Sequence, residues 1–435
     1  MQTSMPGHQG LVSWLEHIDR VHPTEIELGL ERSQTVAQRL KVLPPAPQVI
    51  TVAGTNGKGS VVACLEHVLS SSTLRIGCYS SPHLEHFNER IRIDGKALSD
   101  SRICRALSEV EAVRGDISLT YFEFATLATL WLFSRAEVDV AILEVGLGGR
   151  LDAVNIVDPG LCIITRIDLD HQQWLGEDRE SIAMEKSGIL RKGMPFICGD
   201  PDPPNSLMSR AEALQCPTLR AGEDFSLAPS ESGQWIWKLT ATDCEPTEFE
   251  TIGEPHLLPI NVVTAAQSLL RVKLPGLTLS PEDVAKHCLT TTAPGRQEWR
   301  RDKITDRRVL LDVAHNPAAC ASLARTLSAT AHDGRVRFVL AVMADKKIQD
   351  MVQHLDSIAD IWYIAQIDSP RCLPVDQFAK QILNSGSRHP IGHYLSVEQA
   401  YREACMTAGE SDLIVVTGSF LTVAAVRKLS RAEEG

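Results

Sequence analysis

A glycine-rich turn with a single lysine carries the strongest chemical signal in this 435-residue sequence. The run V-A-G-T-N-G-K-G-S spans Val52 to Ser60, between a buried apolar segment and an amphipathic one. Its glycines let backbone N–H groups approach an anion closely, and Lys58 adds a mobile positive charge. A helix beginning near Gly59 would direct its positive end at the same anion. The turn predicts binding of nucleotide phosphates. The residues concerned are Gly54, Thr55, Asn56, Gly57, Lys58, Gly59 and Ser60.

The match to the usual phosphate-loop pattern, G-x-x-x-x-G-K-[ST], is imperfect. Val52 occupies the first glycine position, and Gly59 separates Lys58 from Ser60. The alternative is a glycine-rich turn between a strand and a helix that binds no ligand. A strand before, a helix after and a lysine flanked by glycines favour the nucleotide.

Polar residues suited to a metal follow other predicted strands. Glu144 lies near the end of the run Val138 to Val145, His171 ends the motif I-D-L-D-H, and Ser81 lies in an S-S-P-H-L loop. Ligands gather at the carboxyl ends of parallel strands, and Mg²⁺ takes a few oxygen ligands. Taken singly, each residue has a structural alternative. Glu144 could form a helix cap or an ion pair, His171 could be a structural histidine, and the loop that contains Ser81 could be an ordinary turn.

Two further motifs carry chemistry-bearing side chains. Lys186 lies on a predicted helix that ends at Gly188, and taken alone it reads as a solvated surface residue. The motif D-V-A-H-N-P closes another strand and places Asp312, His315 and Asn316 at a strand end. The alternative for that motif is a helix cap built from Asn316 and the following proline. Two ligand-type loops on two α/β regions suggest a site in the cleft between them.

Alternating strands and helices position these motifs. Strands are predicted in two groups separated near Thr290 to Arg296, and the alternation indicates parallel sheets with right-handed crossovers. The segment Gly222 to Glu254 predicts a small antiparallel excursion. The strands with the clearest signal are Gln48–Ala53, Arg75–Tyr79, Val138–Val145, Leu161–Ile167, Val309–Val313, Val336–Val342, Ile361–Ala365 and Leu413–Thr417.

The bulk composition limits the possible partners. A net charge of −12 argues against nucleic acid, although a local positive site would still bind a small anion. The 11 cysteines are scattered singly without a C-x-x-C pair, which indicates reduced, buried thiols rather than a zinc site. Residues 1–10 lack an apolar signal core, and no apolar run approaches membrane-spanning length. We therefore expect a cytoplasmic protein.

With these motifs in this order, the chain resembles folylpolyglutamate synthases. More narrowly, it is similar to the bacterial bifunctional dihydrofolate synthase/folylpolyglutamate synthases of the Mur-ligase superfamily, from about Trp14 to Val426. The resemblance implies an α/β protein with a P-loop ATPase-type parallel-sheet domain, residues 1–293, that binds ATP and folate. It also implies a smaller, Rossmann-like glutamate ligase domain, residues 294–435, in a monomer. One departure is Asp345-Lys346-Lys347, where the family has D-K-D.

The resemblance also implies roles for single residues. Ser81, Glu144 and His171 match Mg²⁺ ligands, with more than one ion expected, and Lys186 matches a lysine that the family carbamylates with CO₂. Asn261, Arg296 and Asp312 match ATP contacts, and His315 matches a residue near the incoming glutamate. The implied catalytic residues are Lys58, Lys186, Asp312 and His315. The implied substrate-binding residues are Glu25, Ile26, Glu27, Leu28, Tyr121, Phe122, Glu123, Phe124, Leu151, Asp152 and Ala153.

The implied reaction adds L-glutamate to dihydropteroate and to reduced folates through an acyl phosphate made from ATP. A synthase limited to folylpolyglutamates, or another Mur-type amide ligase, remains an alternative. Peptidoglycan Mur ligases carry a UDP-sugar domain ahead of the phosphate loop, for which residues 1–50 are too short. Two rivals from other classes stay open: an ATPase whose hydrolysis needs no glutamate, and a regulator that binds nucleotide without turnover.

Overall fold

The structure, a computed structural model, describes residues 10–241, 245–274, 276–330 and 332–432. The chain divides into two compact units, the first ending at Thr291 and the second beginning at Thr292. No helix in the described ranges has both the length and the apolar character needed to cross a membrane. The ten cysteines within the same ranges all carry free thiols, and eight of them are buried.

An eight-stranded sheet forms the centre of the first unit, in the order β4-β3-β2-β5-β1-β6-β7-β8. The strands are β1 (Gln48–Ala53), β2 (Ile76–Tyr79), β3 (Ile91–Ile93), β4 (Lys96–Ala97), β5 (Val140–Glu144), β6 (Leu161–Ile164), β7 (Phe196–Cys198) and β8 (Thr218–Arg220). The six strands from β2 to β8 in that order run parallel, while β3 and β4 add an antiparallel edge. Strand β1 lies inside the sheet, and five of its six residues are buried, as its apolar sequence predicts.

Helices cover this sheet. They are α1 (Leu11–Val21), α2 (Glu31–Leu40), α3 (Lys58–Leu69), α4 (Asp100–Arg114), α5 (Tyr121–Ala136), α6 (Gln172–Leu175), α7 (Arg179–Ser187), α8 (Asn205–Ala213), α9 (Pro259–Arg271) and α10 (Pro281–Leu289). Helix α5 begins with a capping box between Thr120 and Glu123 and buries twelve of its sixteen residues. Its apolar residues surround the whole helix, which is typical of a helix enclosed in a core.

The predicted antiparallel excursion is confirmed as a separate three-stranded sheet. Its strands are β9 (Ser226–Pro229), β10 (Trp235–Leu239) and β11 (Thr247–Thr251), with β10 in the middle. Trp237 is buried there, stacks on Phe249 across the strand pair at 6.2 Å between ring centroids, and donates its indole N–H to Thr251. Cross-strand aromatic pairs of this kind stabilise small sheets.

The second unit contains a six-stranded sheet in the order β12-β13-β17-β14-β15-β16. Its elements are β12 (Glu298–Arg301), β13 (Arg308–Leu311), α11 (Pro317–Ala329), β14 (Val336–Leu340), α12 (Ile348–Asp356), β15 (Ile361–Ala365), α13 (Val375–Asn384), β16 (Ile391–Tyr394), α14 (Val397–Thr407), β17 (Leu413–Thr417) and α15 (Phe420–Ala432). Only β12 pairs antiparallel. The predicted fold class, an N-terminal parallel sheet followed by a smaller α/β sheet, is confirmed.

Candidate functional site

The glycine-rich turn joins β1 to α3 at the inner part of the sheet. Gly54 has φ +144° and Gly57 has φ +98°, both in the region that favours glycine. A Cβ at Gly54 would lie 1.8 Å from Oγ1 of Thr165, and one at Gly57 would lie 2.3 Å from Oδ1 of Asn261. Both positions therefore require glycine for conformation and for space, and Asn261 of α9 lies directly against the loop.

Residues that follow β6 hold the loop in place. Thr55 donates its backbone N–H to Arg166 at 2.8 Å, and its hydroxyl donates to the carbonyl of Asp168 at 3.0 Å. The hydroxyl of Thr165 donates to the carbonyl of Asn56 at 2.8 Å. The supporting roles of Thr165, Arg166 and Asp168 were not predicted from the sequence. Their position directly after the strand that neighbours β1 was the available signal, and the contacts explain why β6 ends three residues before the predicted Ile167.

Two lysines converge on one carbonyl of the loop. Nζ of Lys58 donates to Gly54 at 3.1 Å, and Nζ of Lys186 donates to the same oxygen at 3.0 Å. Lys186 is only 4% exposed, so the interpretation of this residue taken alone, as a solvated surface lysine, is wrong. Burial, together with the nearby charge of Lys58, lowers the pKa of Lys186 to about 7.

Close backbone packing explains why Lys186 is buried. A Cβ at Gly149 would lie 2.9 Å from the carbonyl oxygens of Glu185 and Lys186, and one at Gly188 would lie 2.4 Å from Cα of Arg150. These two glycines let the loop after β5 lie against α7 without an intervening side chain. The helix face that carries Lys186 is therefore turned into the protein.

The predicted metal ligands lie at or beyond the carboxyl ends of three strands of one sheet, β2, β5 and β6. Glu144 ends β5, is 2% exposed, and pairs with Val52 of β1 in the sheet. Its Oε2 accepts the backbone N–H of Ser81 at 3.2 Å, so these two residues meet. His171 follows β6 at the same edge, where it precedes α6 with φ +51°. No group of three or more His, Cys, Asp or Glu in the described ranges could hold a metal, and the predicted set contains only two such residues.

The predicted acceptor-binding residues fall into exposed and enclosed groups. Tyr121 and Phe122 are half-buried in the first turn of α5, and Phe122 lies so close to Gly146 that a Cβ there would be 2.6 Å from its ring. Phe124 is fully buried in the core, and Glu123 is buried beneath the start of the helix. Of the residues in Y-F-E-F, Tyr121 and Phe122 are therefore the two that remain partly exposed.

The other two predicted acceptor segments are irregular backbone. Glu25, Ile26, Glu27 and Leu28 lie between α1 and α2, and each is exposed or half-exposed. Leu151 is half-buried, whereas Asp152 and Ala153 are buried. Asp152 accepts the N–H groups of Leu147 at 2.8 Å and Val154 at 2.9 Å, yet burial raises its pKa to about 6.

In the second unit, Asp312 and Asn316 have clear structural partners. Asp312 accepts N–H groups from Gln297 and Ala314, both at 2.9 Å, and burial raises its pKa. Asn316 caps α11 by accepting the N–H of Ala319 at 2.9 Å, so the helix-cap alternative for that residue is present.

Phe420 connects two other predicted residues of this unit. The Arg296 guanidinium lies 5.0 Å from the centroid of its ring, and the His315 ring lies 5.9 Å away. Nδ1 of His315 donates to the carbonyl of Val313 at 2.8 Å. The sequence analysis missed Phe420. The available signal was an aromatic residue two positions after Gly418, the glycine that follows the predicted strand Leu413–Thr417.

Comparison with known proteins decides the family. Residues 295–420 match the model of the Mur ligase, glutamate ligase domain. The chain is 40% identical over 422 residues to the dihydrofolate synthase/folylpolyglutamate synthase of Escherichia coli (strain K12). The aligned region covers 96% of this chain and 95% of the E. coli protein. The chain belongs to the dihydrofolate synthase/folylpolyglutamate synthase family. This membership confirms the predicted resemblance and the predicted class, an ATP-dependent, amide-bond-forming ligase.

Solved structures of dihydrofolate synthase/folylpolyglutamate synthases agree along the full length. The structure of E. coli FolC in complex with DHPP and ADP has a TM-score of 0.91 and 38% identity, and it covers 100% of both chains. A bifunctional folylpolyglutamate synthase/dihydrofolate synthase with Mn, AMPPNP and L-glutamate bound has a TM-score of 0.87 and 39% identity. That match covers 98% of this chain and 100% of the other.

Proposed function

We propose that this chain joins L-glutamate to dihydropteroate, which gives dihydrofolate, and to reduced folates, which gives folylpolyglutamates. ATP with a divalent metal is the cofactor pair. The observation that carries the proposal is the convergence of the glycine-rich loop, the Ser81–Glu144 pair and the buried amine of Lys186 at one edge of one sheet. A phosphate site beside a carboxylate that can bind a divalent cation is the arrangement used in phosphoryl transfer from ATP.

The reaction has two steps. An oxygen of the acceptor carboxylate attacks the γ-phosphorus of ATP, the bond to the β-phosphate oxygen breaks, and ADP leaves. The amine of glutamate then attacks the carbonyl of the acyl phosphate, loses a proton, and displaces inorganic phosphate. The first step is needed because oxide is a poor leaving group from a carboxylate and phosphate is a good one.

Residues of the loop would bind the phosphates. Lys58 and the N–H groups around Asn56 and Gly57 neutralise the charge that spreads over the transferring phosphoryl group. The amine of Lys58 donates to the carbonyls of Gly54 at 3.1 Å and Thr55 at 3.4 Å, both of which belong to the loop itself. Asn261 would contact the nucleotide from α9, where it already lies against Gly57.

The metal set fits a hard divalent cation. Glu144 offers a buried carboxylate, Ser81 lies beside it, and oxygen ligands of this kind suit Mg²⁺, with His171 as the proposed nitrogen ligand. When bound, the ion would offset charge on the ATP oxygens. We further propose that Lys186 is carbamylated: the nitrogen of its neutral amine bonds to the carbon of CO₂ and releases one proton, which leaves an anionic carbamate in place of an ammonium group.

Six further predicted residues are proposed to contact the substrates. Tyr121 and Phe122 would pack on the ring of the acceptor. The carboxyl group of Asp152 would form a hydrogen bond with the polar edge of that ring. In the second unit, Arg296 and Asp312 would contact ATP, and His315 would contact the incoming glutamate. We propose a monomer in the cytoplasm, and the free thiols of the described cysteines support a reducing compartment.

Measurement of ADP release, with one reactant omitted at a time, tests the proposal. ATP should be consumed only when both L-glutamate and an acceptor are present, and both dihydropteroate and tetrahydrofolate should serve as acceptors. Activity with tetrahydrofolate alone would restrict the chain to folylpolyglutamate synthesis. Full ADP release without glutamate and acceptor would contradict the ligase assignment and favour a simple ATPase.

A further inference from the structure

A buried carboxylate at the start of α5 has one charged partner from another helix. Glu123 caps the helix, because its side chain accepts the N–H of Thr120 at 2.8 Å. Its Oε1 also accepts Nε–H of Arg32 at 3.2 Å and the hydroxyl of Ser33 at 3.3 Å. The Glu123 side chain is 4% exposed, so it depends on the guanidinium of Arg32 for charge compensation.

The other side of the same guanidinium holds the segment between α1 and α2. Arg32 forms an ion pair with the carboxylate of Glu27 through Nη1, and Nη2 donates to the carbonyl of Glu27 at 2.9 Å. Nε2 of His22, a buried side chain, lies 3.1 Å from the Glu27 carboxylate. The segment Glu25 to Leu28 has no strand or helix pairing, so these side-chain contacts fix its position.

Arg32 therefore bridges two segments that are far apart in sequence. One is the irregular segment that contains Ile26 and Leu28, and the other is the first turn of α5, which presents Tyr121 and Phe122. The family resemblance implies that both segments bind the acceptor, and Tyr121 and Phe122 are proposed above to pack on its ring. A planar guanidinium suits this position, because its five N–H groups can bond two carboxylates and a carbonyl at the same time.

We propose that Arg32 is a positioning residue for the acceptor. It sets the separation between the Glu25–Leu28 segment and the start of α5, and so sets the binding of the pterin-type ring, without touching the reacting atoms. The proposal rests on the proposed function. It assigns Glu123 to the support of this bridge rather than to contact with the substrate.

Steady-state kinetics of Arg32→Met test the proposal. The variant keeps the apolar stem and removes the bridge. We expect the KM for dihydropteroate and for tetrahydrofolate to rise by about tenfold or more, while the KM for ATP stays within about twofold. Arg32→Lys should recover only part of the acceptor affinity, because an ammonium cannot bond both carboxylates in the same planar arrangement.

Two further variants separate positioning from loss of folding. Arg32→Met leaves the Glu123 charge buried and unpaired, whereas Arg32→Met/Glu123→Gln removes that charge and keeps the cap to Thr120. The double variant should melt near the wild-type temperature and still show the raised acceptor KM. Arg20→Met, which changes an arginine whose side chain is 76% exposed and paired with Glu16, should leave every KM unchanged.

The outcomes are distinguishable. A folded double variant with wild-type acceptor KM would overturn the positioning role, as would an equal rise in the KM for ATP. If the wild-type chain itself releases ADP without needing an acceptor, the proposed function fails instead, and the wild-type control reveals this before any variant is compared.

Discussion

Lys186 shows how the environment of one side chain can supply chemistry that its type does not suggest. Only a neutral amine reacts with CO₂, and an ordinary lysine is almost fully protonated at pH 7. Burial and the charge of Lys58 lower the pKa of Lys186 to about 7. The neutral fraction therefore rises with pH, from about a tenth at pH 6 to about nine tenths at pH 8.

This gives a pH-dependent prediction for activation by CO₂. Protein from which CO₂ has been removed should regain ligase activity when CO₂ is added back. At a fixed concentration of dissolved CO₂, the regained activity should rise between about pH 6 and pH 8. Lys186→Met should have low activity that CO₂ does not restore. Lys192→Met, at an exposed lysine, serves as the matched control. Full activity of Lys186→Met, or activity unaffected by CO₂, would contradict the carbamate.

The phosphate loop allows a second prediction at a single residue. Gly57→Ala places a methyl group against Asn261 and forces a left-handed conformation on alanine, so ADP affinity should fall by about tenfold or more. Gly193→Ala is the matched control, because Gly193 has φ +71° but open space around it. Calorimetric titration with ADP measures both variants. Equal ADP affinity in the two would show that the loop geometry does not govern nucleotide binding.

At the scale of elements, the departure at Lys347 has a structural consequence. Lys347 is the N-cap residue of α12, and its side chain makes no capping hydrogen bond. The aspartate that the family resemblance implies at this position would accept an N–H of the first turn of α12, and its negative charge would be attracted to the positive N-terminal end of the helix. A lysine does neither. We therefore expect this departure to lower the stability of α12 and of the second unit that contains it.

Restoring aspartate at this position should stabilise the helix. Lys347→Asp is expected to raise the free energy of unfolding by about 0.5–2 kcal/mol, measured by denaturant unfolding. Lys273→Asp makes the same charge change at an exposed position outside any helix and should leave the free energy of unfolding nearly unchanged. No gain over that control would show that position 347 does not act as a cap.

Elements that bury β-branched residues were predictable from the sequence, and edge elements were not. Strands β15 and β17 match the predicted ranges residue for residue, because each is an apolar run enclosed by neighbours. The sequence analysis missed β12 (Glu298–Arg301) and β16 (Ile391–Tyr394). Both lie at a sheet edge, are four residues long, and carry charged or polar residues, so they lack the periodicity on which such predictions depend.

The motifs of the candidate site were predictable from the sequence, but the tertiary contacts that hold those motifs in place were not. The loop, Glu144 and Ser81 follow strands, and strand ends meet at one edge of a parallel sheet. The burial of Lys186 depends on the approach of α7 to a glycine-containing loop. The bridge from Arg32 to Glu123 joins residues 91 positions apart. Contacts of this kind arise from tertiary packing, which a local pattern does not encode.

At the scale of the whole molecule, a chain of net charge −12 handles anionic substrates. The basic groups proposed for this purpose are local: Lys58 on the phosphate loop, and Arg296 on the ring of Phe420. Each unit has its own hydrophobic core around its sheet. Local positive sites on an acidic surface bind small anions without attracting nucleic acid.

The central claim is that the acceptor carboxylate becomes phosphorylated before it meets the amine of glutamate. If so, the oxygen that attacks ATP stays with the phosphate when the amide forms. Dihydropteroate labelled with ¹⁸O in both carboxylate oxygens should therefore yield inorganic phosphate with one labelled oxygen per turnover, measured by mass spectrometry. Unlabelled dihydropteroate in ¹⁸O-water should give unlabelled phosphate. Unlabelled phosphate from the labelled acceptor, with dihydrofolate still formed, would contradict the account.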